Sequence, residues 1–178
     1  LEPLLGTALR ARNPRLRVAP CPFPGVPLTL VPALRPDVAI LHVQRADVGG
    51  SCHAWGPTGV SGVAGKASRH VIVVCEELVD AAVIRSDPGR TLMPGFLVSA
   101  VVHLPWGAHP SYVQGAYDRD NRFYLDWDPI SRDEAATQAW LDEWVHGVSG
   151  RAEYVAKLGE ERGASLRPGA AAPAGGRG

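Results

Sequence analysis

The chain has 178 residues, of which 46% are hydrophobic and 20% charged, with 18 lysines and arginines balanced by 18 aspartates and glutamates. That is the composition of a soluble globular lobe, and the charge balance leaves no basic field for nucleic acid or an anionic membrane surface. The three cysteines (Cys21, Cys52, Cys75) lack CxxC spacing, which argues against a disulfide framework or zinc site and fits a reducing cytoplasm; no apolar run approaches the roughly 18 residues a membrane span needs.

In chain order, Leu1-Glu2-Pro3 shows neither an initiator methionine nor the basic start of a signal peptide, so residues 1–18 read as the remnant of a preceding region. Residues 19–36 carry six prolines. Each fixes φ and removes a backbone donor, so this stretch reads as an extended connection, neither helix nor central strand. Three β-branched apolar runs follow, Val38 to Val43, Val71 to Cys75 and Phe96 to Val102. Continuous runs of this kind predict strands covered on both faces. Their spacing of roughly 25 residues suits a crossover and excludes a hairpin. Residues 37–166 therefore read as an α/β domain with an open, largely parallel sheet, crossover helices and a helical C-terminus.

Ser131-Arg132-Asp133-Glu134 has the form of a capping box, with Ser131 as the N-cap. The helix it would open carries Trp140 and Trp144 on one stripe, and Gly147 is placed to close it in the left-handed conformation. A second helix, Arg151 to Leu158, should stop at Gly159 in the same way. Residues 167–178 contain only Gly, Ala, Pro and Arg and are expected to be a disordered tail.

Chemistry-bearing motifs are few. There is no GxGxxG, Walker loop or HExxH, and Gly59-Val60-Ser61-Gly62 is one residue short of a GxSxG elbow, so dinucleotide, NTP, zinc-protease and serine-hydrolase readings lack support. Among six histidines, His42 and His103 lie in or at the end of apolar strands and read as hydrogen-bonded core or strand-end residues. His109 falls just past the third run, where ligands collect at the carboxyl edge of open α/β sheets. There Gly107 lets the backbone bend, Pro110 fixes it, and His109 and Ser111 would present polar groups to the crevice. Glu76 and Glu77 follow the second run; adjacent strand residues face opposite sides, so one at most addresses a given crevice, and Glu77 is the candidate taken. Gly49-Gly50-Ser51 reads as a tight turn or an anion-binding loop.

The order of motifs resembles the A-type subunits of glutaconate-type coenzyme A transferases. The residues that carry it begin with Asp37 to Asp47, which includes Gln44, and continue through Gly50 and Trp55-Gly56. Val73-Val74-Cys75-Glu76-Glu77, Ile84 to Pro88, Pro94-Gly95 and Gly107-Ala108-His109-Pro110-Ser111 follow. The last are Tyr117 to Asn121, Glu143-Trp144-Val145 and Lys157-Leu158-Gly159. The resemblance runs collinearly from about Pro27 to Gly159. Three departures accompany it: a missing N-terminal region, the turn Gly50-Ser51-Cys52-His53, and the glycines Gly59, Gly62 and Gly65 in the first crossover. Each interior glycine costs up to about 1 kcal/mol, so that helix should be short.

The resemblance implies a CoA-transferase (NagB/RpiA-like) fold and a ping-pong transfer of CoA between an acyl-CoA and a carboxylic acid. The nucleophilic glutamate would lie on a partner B subunit, with no catalytic residue, metal or cofactor beyond CoA in this chain. Gln44, Glu77, Gly107, His109 and Ser111 become pocket candidates by that likeness. A CoA-thioester ring-cleaving hydrolase of the same fold is one alternative reading, and a regulatory ligand-binding module is another.

Overall fold

A computed structural model describes residues 6–23 and 25–169; most of the expected C-terminal tail lies outside the described residues. The chain divides into two compact units, Leu1–Arg35 and Pro36–Gly178.

In the first unit a short helix, α1 (Ala8–Arg12), precedes β1 (Arg17–Pro20) and β2 (Pro27–Leu30), which pair antiparallel with Pro20 opposite Pro27. The proline-rich stretch is thus extended, as expected, but part of it folds back as a two-stranded ribbon. Each strand of such a ribbon has a free edge, where a missing N–H does no harm.

In the second unit, β3 (Val38–Ala46), β4 (Cys52–His53), β5 (His70–Leu78), β6 (Thr91–Met93) and β7 (Ala100–His103) form one sheet in the order β6-β4-β3-β5-β7. The pairs β3–β5 and β5–β7 are parallel, and the short edge pairs are antiparallel. Helix α2 (Ser61–Ala67) connects the first parallel pair and α3 (Ala81–Ser86) lies in the second connection. As the glycines predicted, α2 is short. Gly65 also has a packing reason: a Cβ there would collide with Met93 and lie 3.1 Å from Leu41 Cδ1, so the helix rests directly on the sheet.

The core is built from alternate residues. Ala39, Leu41 and Val43 of β3 and Val71, Val73 and Cys75 of β5 are buried together with Ala46, Cys52 and Met93. The opposite parity behaves differently: Val38 is exposed and Ile40 is 70% exposed. Coverage on both faces, expected from the unbroken apolar runs, therefore does not hold along the first half of β3. The run lacks a polar alternation, yet only one of its faces is packed among the described residues.

The third run also differs from expectation. Gly95–Leu97 is a 3-10 turn and β7 begins only at Ala100, because Pro94 and Gly95 favour a turn there over a ladder. Glu76 and Glu77 do not follow a strand but lie inside β5, which continues to Leu78.

Beyond β7, residues 104–120 form a loop, followed by α4 (Asn121–Ile130), α5 (Glu134–Leu141), a π-type turn at Asp142–His146, α6 (Arg151–Leu158) and α7 (Glu160–Ser165). Helix α4 had no sequence expectation, and it displaces the capping box. Ser131 is the residue that ends α4, its hydroxyl donating to the Asp128 carbonyl. The cap of α5 is Asp133, whose carboxylate accepts from the Ala136 amide at 2.7 Å; a carboxylate caps as well as a serine, and here it sits at the right offset. Gly147 has φ −83°, so it does not close the helix in the left-handed region, whereas Gly159, at φ +89°, does so for α6. Trp140 and Trp144 pack edge-on against Phe123 of α4, each with ring centroids 6.0 Å apart.

Candidate active site

On β3 as far as Gln44, and along β5, residues of even number face away from the core, and towards the strands' carboxyl ends they turn polar: His42, Gln44 and Glu76. The loop after β7 lies against them. Glu76 is the anchor of this arrangement. Its Oε1 accepts from Tyr117 Oη and from His42 Nε2, both at 2.6 Å, and its Oε2 accepts from the Trp106 amide at 2.6 Å. Burial opposes ionisation of Glu76, but these three donors outweigh it and hold the carboxyl below the usual carboxylate range. Burial and then the adjacent Glu76 carboxylate push the Tyr117 phenol far above its ordinary value. Tyr117 therefore stays a neutral donor to Glu76, and it accepts from the Ala108 amide at 3.0 Å while its ring stacks on Trp106 at 4.4 Å.

A cavity of about 260 Å³ lies beside this cluster, lined by His42 and Gln44 of β3, by Trp55 and Thr58 from the segment leading into α2 and Ser61 at its start, and by Ala108, Tyr112 and Gln114 from the loop after β7. Gln44 ties two of these segments together. Its amide nitrogen donates to the carbonyls of Trp55 at 2.9 Å and Gln114 at 3.3 Å, and its oxygen accepts from the Trp55 amide at 3.2 Å. Gly107 abuts the His42 ring, where a Cβ would stand 2.7 Å from Cε1 and 2.8 Å from the Leu104 carbonyl. Only glycine fits there.

The other sequence candidates lie elsewhere. The His109 side chain has no exposure; it bonds Asp120 at 3.0 Å and Tyr154 at 2.8 Å, behind the cavity wall. Burial lowers its pKa, which Asp120 only partly offsets. Asp120 in turn accepts from Arg162 through both carboxylate oxygens and caps α4 at the Phe123 amide. His109 thus sits inside a network joining the loop to α4, α6 and α7, and does not present its ring to the crevice. Ser111 is exposed, with its hydroxyl 2.8 Å from that of Tyr124. Glu77 is exposed on the opposite parity of β5. The Gly49–Ser51 stretch is the tight turn: Gly50 has φ +93° and its amide donates to the Asp47 carbonyl, while the Ser51 amide donates to the Asp47 carboxylate.

His42 and Glu76, which meet in the structure, are the pair the sequence reading passed over. Strand parity could have found them. With residues 39, 41, 43, 71, 73 and 75 in the core, His42, Gln44 and Glu76 share the other face, and Glu77 does not. Nothing comparable in the sequence announces Tyr117, which arrives from a loop. Among the described residues no group of three or more His, Cys, Asp or Glu is arranged to hold a metal ion, and no helix is long and apolar enough to cross a membrane.

Known proteins share this architecture and much of its sequence. The family model for coenzyme A transferase matches residues 18–104. The A subunit of the 3-oxoadipate CoA-transferase of Pseudomonas knackmussii is 42% identical over 160 residues, covering 90% of this chain and 56% of that protein. The chain is a homologue of CoA-transferase A subunits. The A subunit of the glutaconate CoA-transferase of Acidaminococcus fermentans is 39% identical over 147 residues, 82% of this chain and 46% of that protein. The crystal structure of that organism's glutaconate CoA-transferase superposes with a TM-score of 0.81 at 37% identity, over 85% of this chain and 48% of the other. A variant of the decarboxylase AibA/AibB superposes with a TM-score of 0.63 at 26% identity, over 74% of this chain and 47% of the other. This A-subunit homologue therefore spans about half the length of the curated relatives it matches.

Proposed function

We propose that the chain is part of the A-type subunit of an acyl-CoA:carboxylate CoA-transferase, working with a partner B subunit that carries the nucleophilic glutamate. The observation that carries this reading is the 42% identity to a CoA-transferase A subunit over 90% of the chain. In the proposed reaction the partner's glutamate attacks the acyl-CoA thioester to give an anhydride. The released CoA thiolate attacks the glutamyl carbonyl of that anhydride, expelling the donor acid as its carboxylate and leaving a glutamyl-CoA thioester. The acceptor carboxylate displaces the thiolate to form a new anhydride, and the thiolate then attacks the acceptor acyl carbon, giving the new acyl-CoA and freeing the glutamate. No cofactor beyond the carried CoA is called for. The names of both CoA-transferase relatives specify dicarboxylic acids, so a short dicarboxylate is the proposed acid.

The cavity suits the role of an acid-recognising wall. Its polar groups are held in place by the fold, with Gln44 fixed by backbone groups and His42 by Glu76, so little reorganisation is needed when a ligand arrives. The likeness to a decarboxylase at 26% identity means that fold alone does not choose the reaction; the higher identities to the transferases favour transfer.

The test is to produce the chain together with the B-type subunit of a CoA-transferase and measure exchange of CoA between acyl-CoA donors and a panel of dicarboxylic acids. Exchange that requires both polypeptides is the expected result. Loss of the thioester to water with no transfer would replace this reading with a hydrolase, and ligand binding with no turnover alongside any partner would favour a regulatory module.

A further inference from the structure

The cavity wall contains Trp55, Thr58, Ser61, Tyr112, Gln114 and other neutral groups, and among the described residues His42 is the one lining residue that can become a cation. Its ring is not free to choose a proton. Glu76 is acceptor-only when ionised, and its Oε1 lies 2.6 Å from His42 Nε2, so Nε2 carries a proton in this pair. Glu76 itself is fixed from three sides, by Tyr117, by the Trp106 amide and by His42. The remaining ring nitrogen, Nδ1, makes no hydrogen bond among the described residues and lies on the ring edge beside Gly107, whose missing Cβ would be 3.3 Å away.

We infer that His42 is the carboxylate-binding residue of this cavity and that Glu76 is the positioning residue that directs its proton. The choice of a carboxylate over other anions rests on the A-subunit reading above. An arriving carboxylate would place a second negative charge beside a ring already bonded to Glu76. With Nε2 committed to Glu76, Nδ1 is the ring nitrogen left to meet the ligand; an imidazole with a proton on each nitrogen donates from Nε2 to Glu76 and from Nδ1 to the ligand, each as a charge-assisted bond. The ionisable groups facing the ring or its partner are Glu76 on β5, Tyr112 and Tyr117 on the loop after β7, and His103 on β7, which reaches the Glu76 carbonyl at 3.2 Å. Arg151 of α6 stays behind the wall, bonded to the carbonyls of Trp106 and His109. Gln44 cannot substitute for His42, because its amide is already bonded to backbone groups of Trp55 and Gln114.

Glutarate is the probe, added to the full 178-residue chain while the imidazole nitrogens are followed by long-range 1H–15N spectra. In the free protein His42 should show a proton on Nε2. Saturating glutarate should shift the His42 Nδ1 resonance, the nitrogen left for the ligand, while Nε2 keeps its proton and its bond to Glu76. Glutaramide, the neutral analogue, should leave both resonances in place. Glu76→Gln, whose amide no longer provides a charged acceptor, should redistribute the His42 proton between the two nitrogens and weaken glutarate binding roughly tenfold. Should that variant not fold, the titration of the unaltered protein still decides.

The proposal is overturned if His42 is unmoved at a glutarate concentration that shifts Thr58 or Gln114, or if no cavity residue responds at all. It is also overturned if Glu76→Gln leaves both tautomer and affinity unchanged. In the two-subunit exchange assay, a His42→Asn enzyme with an unaltered KM for the acid would remove His42 while leaving the transferase reading intact. A glutarate-linked shift of His42 Nδ1 without exchange in any B-type complex would do the reverse.

Discussion

Replacing Asp120 with alanine removes one carboxylate that serves three elements. It caps α4 at the Phe123 amide, pairs through both oxygens with Arg162 of α7, and accepts from His109 on the loop. Loss of the cap costs about 1 kcal/mol, and each hydrogen bond to a charged group is worth roughly 1.5–3 kcal/mol. These terms overlap, and Arg162 is 27% exposed, so water recovers part of its interaction. A net cost of about 3 kcal/mol follows, equivalent to a fall in Tm of roughly 6–12 °C for a domain of this size. Asp120→Asn keeps an oxygen for the cap and should recover about 1 kcal/mol of that.

The pH dependence has a definite sign. Although burial alone would raise the Asp120 pKa, the Arg162, Phe123 and His109 contacts bring it down to about 2 from 3.8. A depressed folded pKa gives stability that is complete above the unfolded value and is lost as pH falls from about 4 through about 2. Urea unfolding of the parent and the alanine variant at a series of pH values measures both quantities. A variant within about 1 kcal/mol of the parent at pH 7 would refute the network, as would a gap between the two proteins that stays constant down to pH 2.

Gly107→Ala should cost about 1–3 kcal/mol by overpacking, and should displace the His42 ring, visible as a change in its imidazole resonances. Of the three cysteines, Cys52 and Cys75 are buried and Cys21 is partly exposed; burial also pushes the Cys52 thiol up to about 11. Ellman's reagent should therefore titrate one thiol rapidly in the native protein and the other two only after unfolding. Ile40→Asp changes a residue that is 70% exposed, so the chain's own stability should shift by less than about 0.5 kcal/mol. Light scattering of the purified chain should nonetheless report less self-association, since Ile40 and Val38 present bare apolar surface on the sheet; unchanged scattering would show that this face is inert.

The parallel pair β3–β5 and the short glycine-bearing crossover were legible because β-branched runs and helix-poor glycines act locally. Parity was not legible, because continuous apolar runs hid it: Ile40 and Leu41 look alike in sequence, and the packing of α2 at Gly65 distinguishes the faces. The capping box failed for a related reason. Ser131 and Asp133 can both cap, and the choice fell to Asp133 because α4, undetected, extends to Ile130 and claims Ser131 for its own end. His109 was correctly placed after the last strand, but its partners Asp120, Tyr154 and Arg162 come from elements whose contacts no local pattern encodes. A histidine in a loop is drawn into a core there by distant helices. The His42–Glu76 pair was hidden by the opposite assumption, that a histidine inside an apolar strand belongs to the core.

These two histidines also divide the work of the loop after β7. On its inner side the loop is fastened to the sheet by polar bonds: the Trp106 amide goes to Glu76, the Ala108 amide to Tyr117, and the Gln114 carbonyl to Gln44. Facing the helices, it is fastened through His109 to Tyr154 and, by way of Asp120, to Arg162. A loop held from both sides, and packed through Val113 and Tyr117 against Leu166, can keep its cavity-lining residues in register. The arrangement places the burden of stability on Asp120 and His109 and leaves His42, 23% exposed at the cavity, free to meet a ligand. Changes to the first pair should therefore be read in unfolding curves, and changes to the second in binding, because each histidine has its own carboxylate and the two share none.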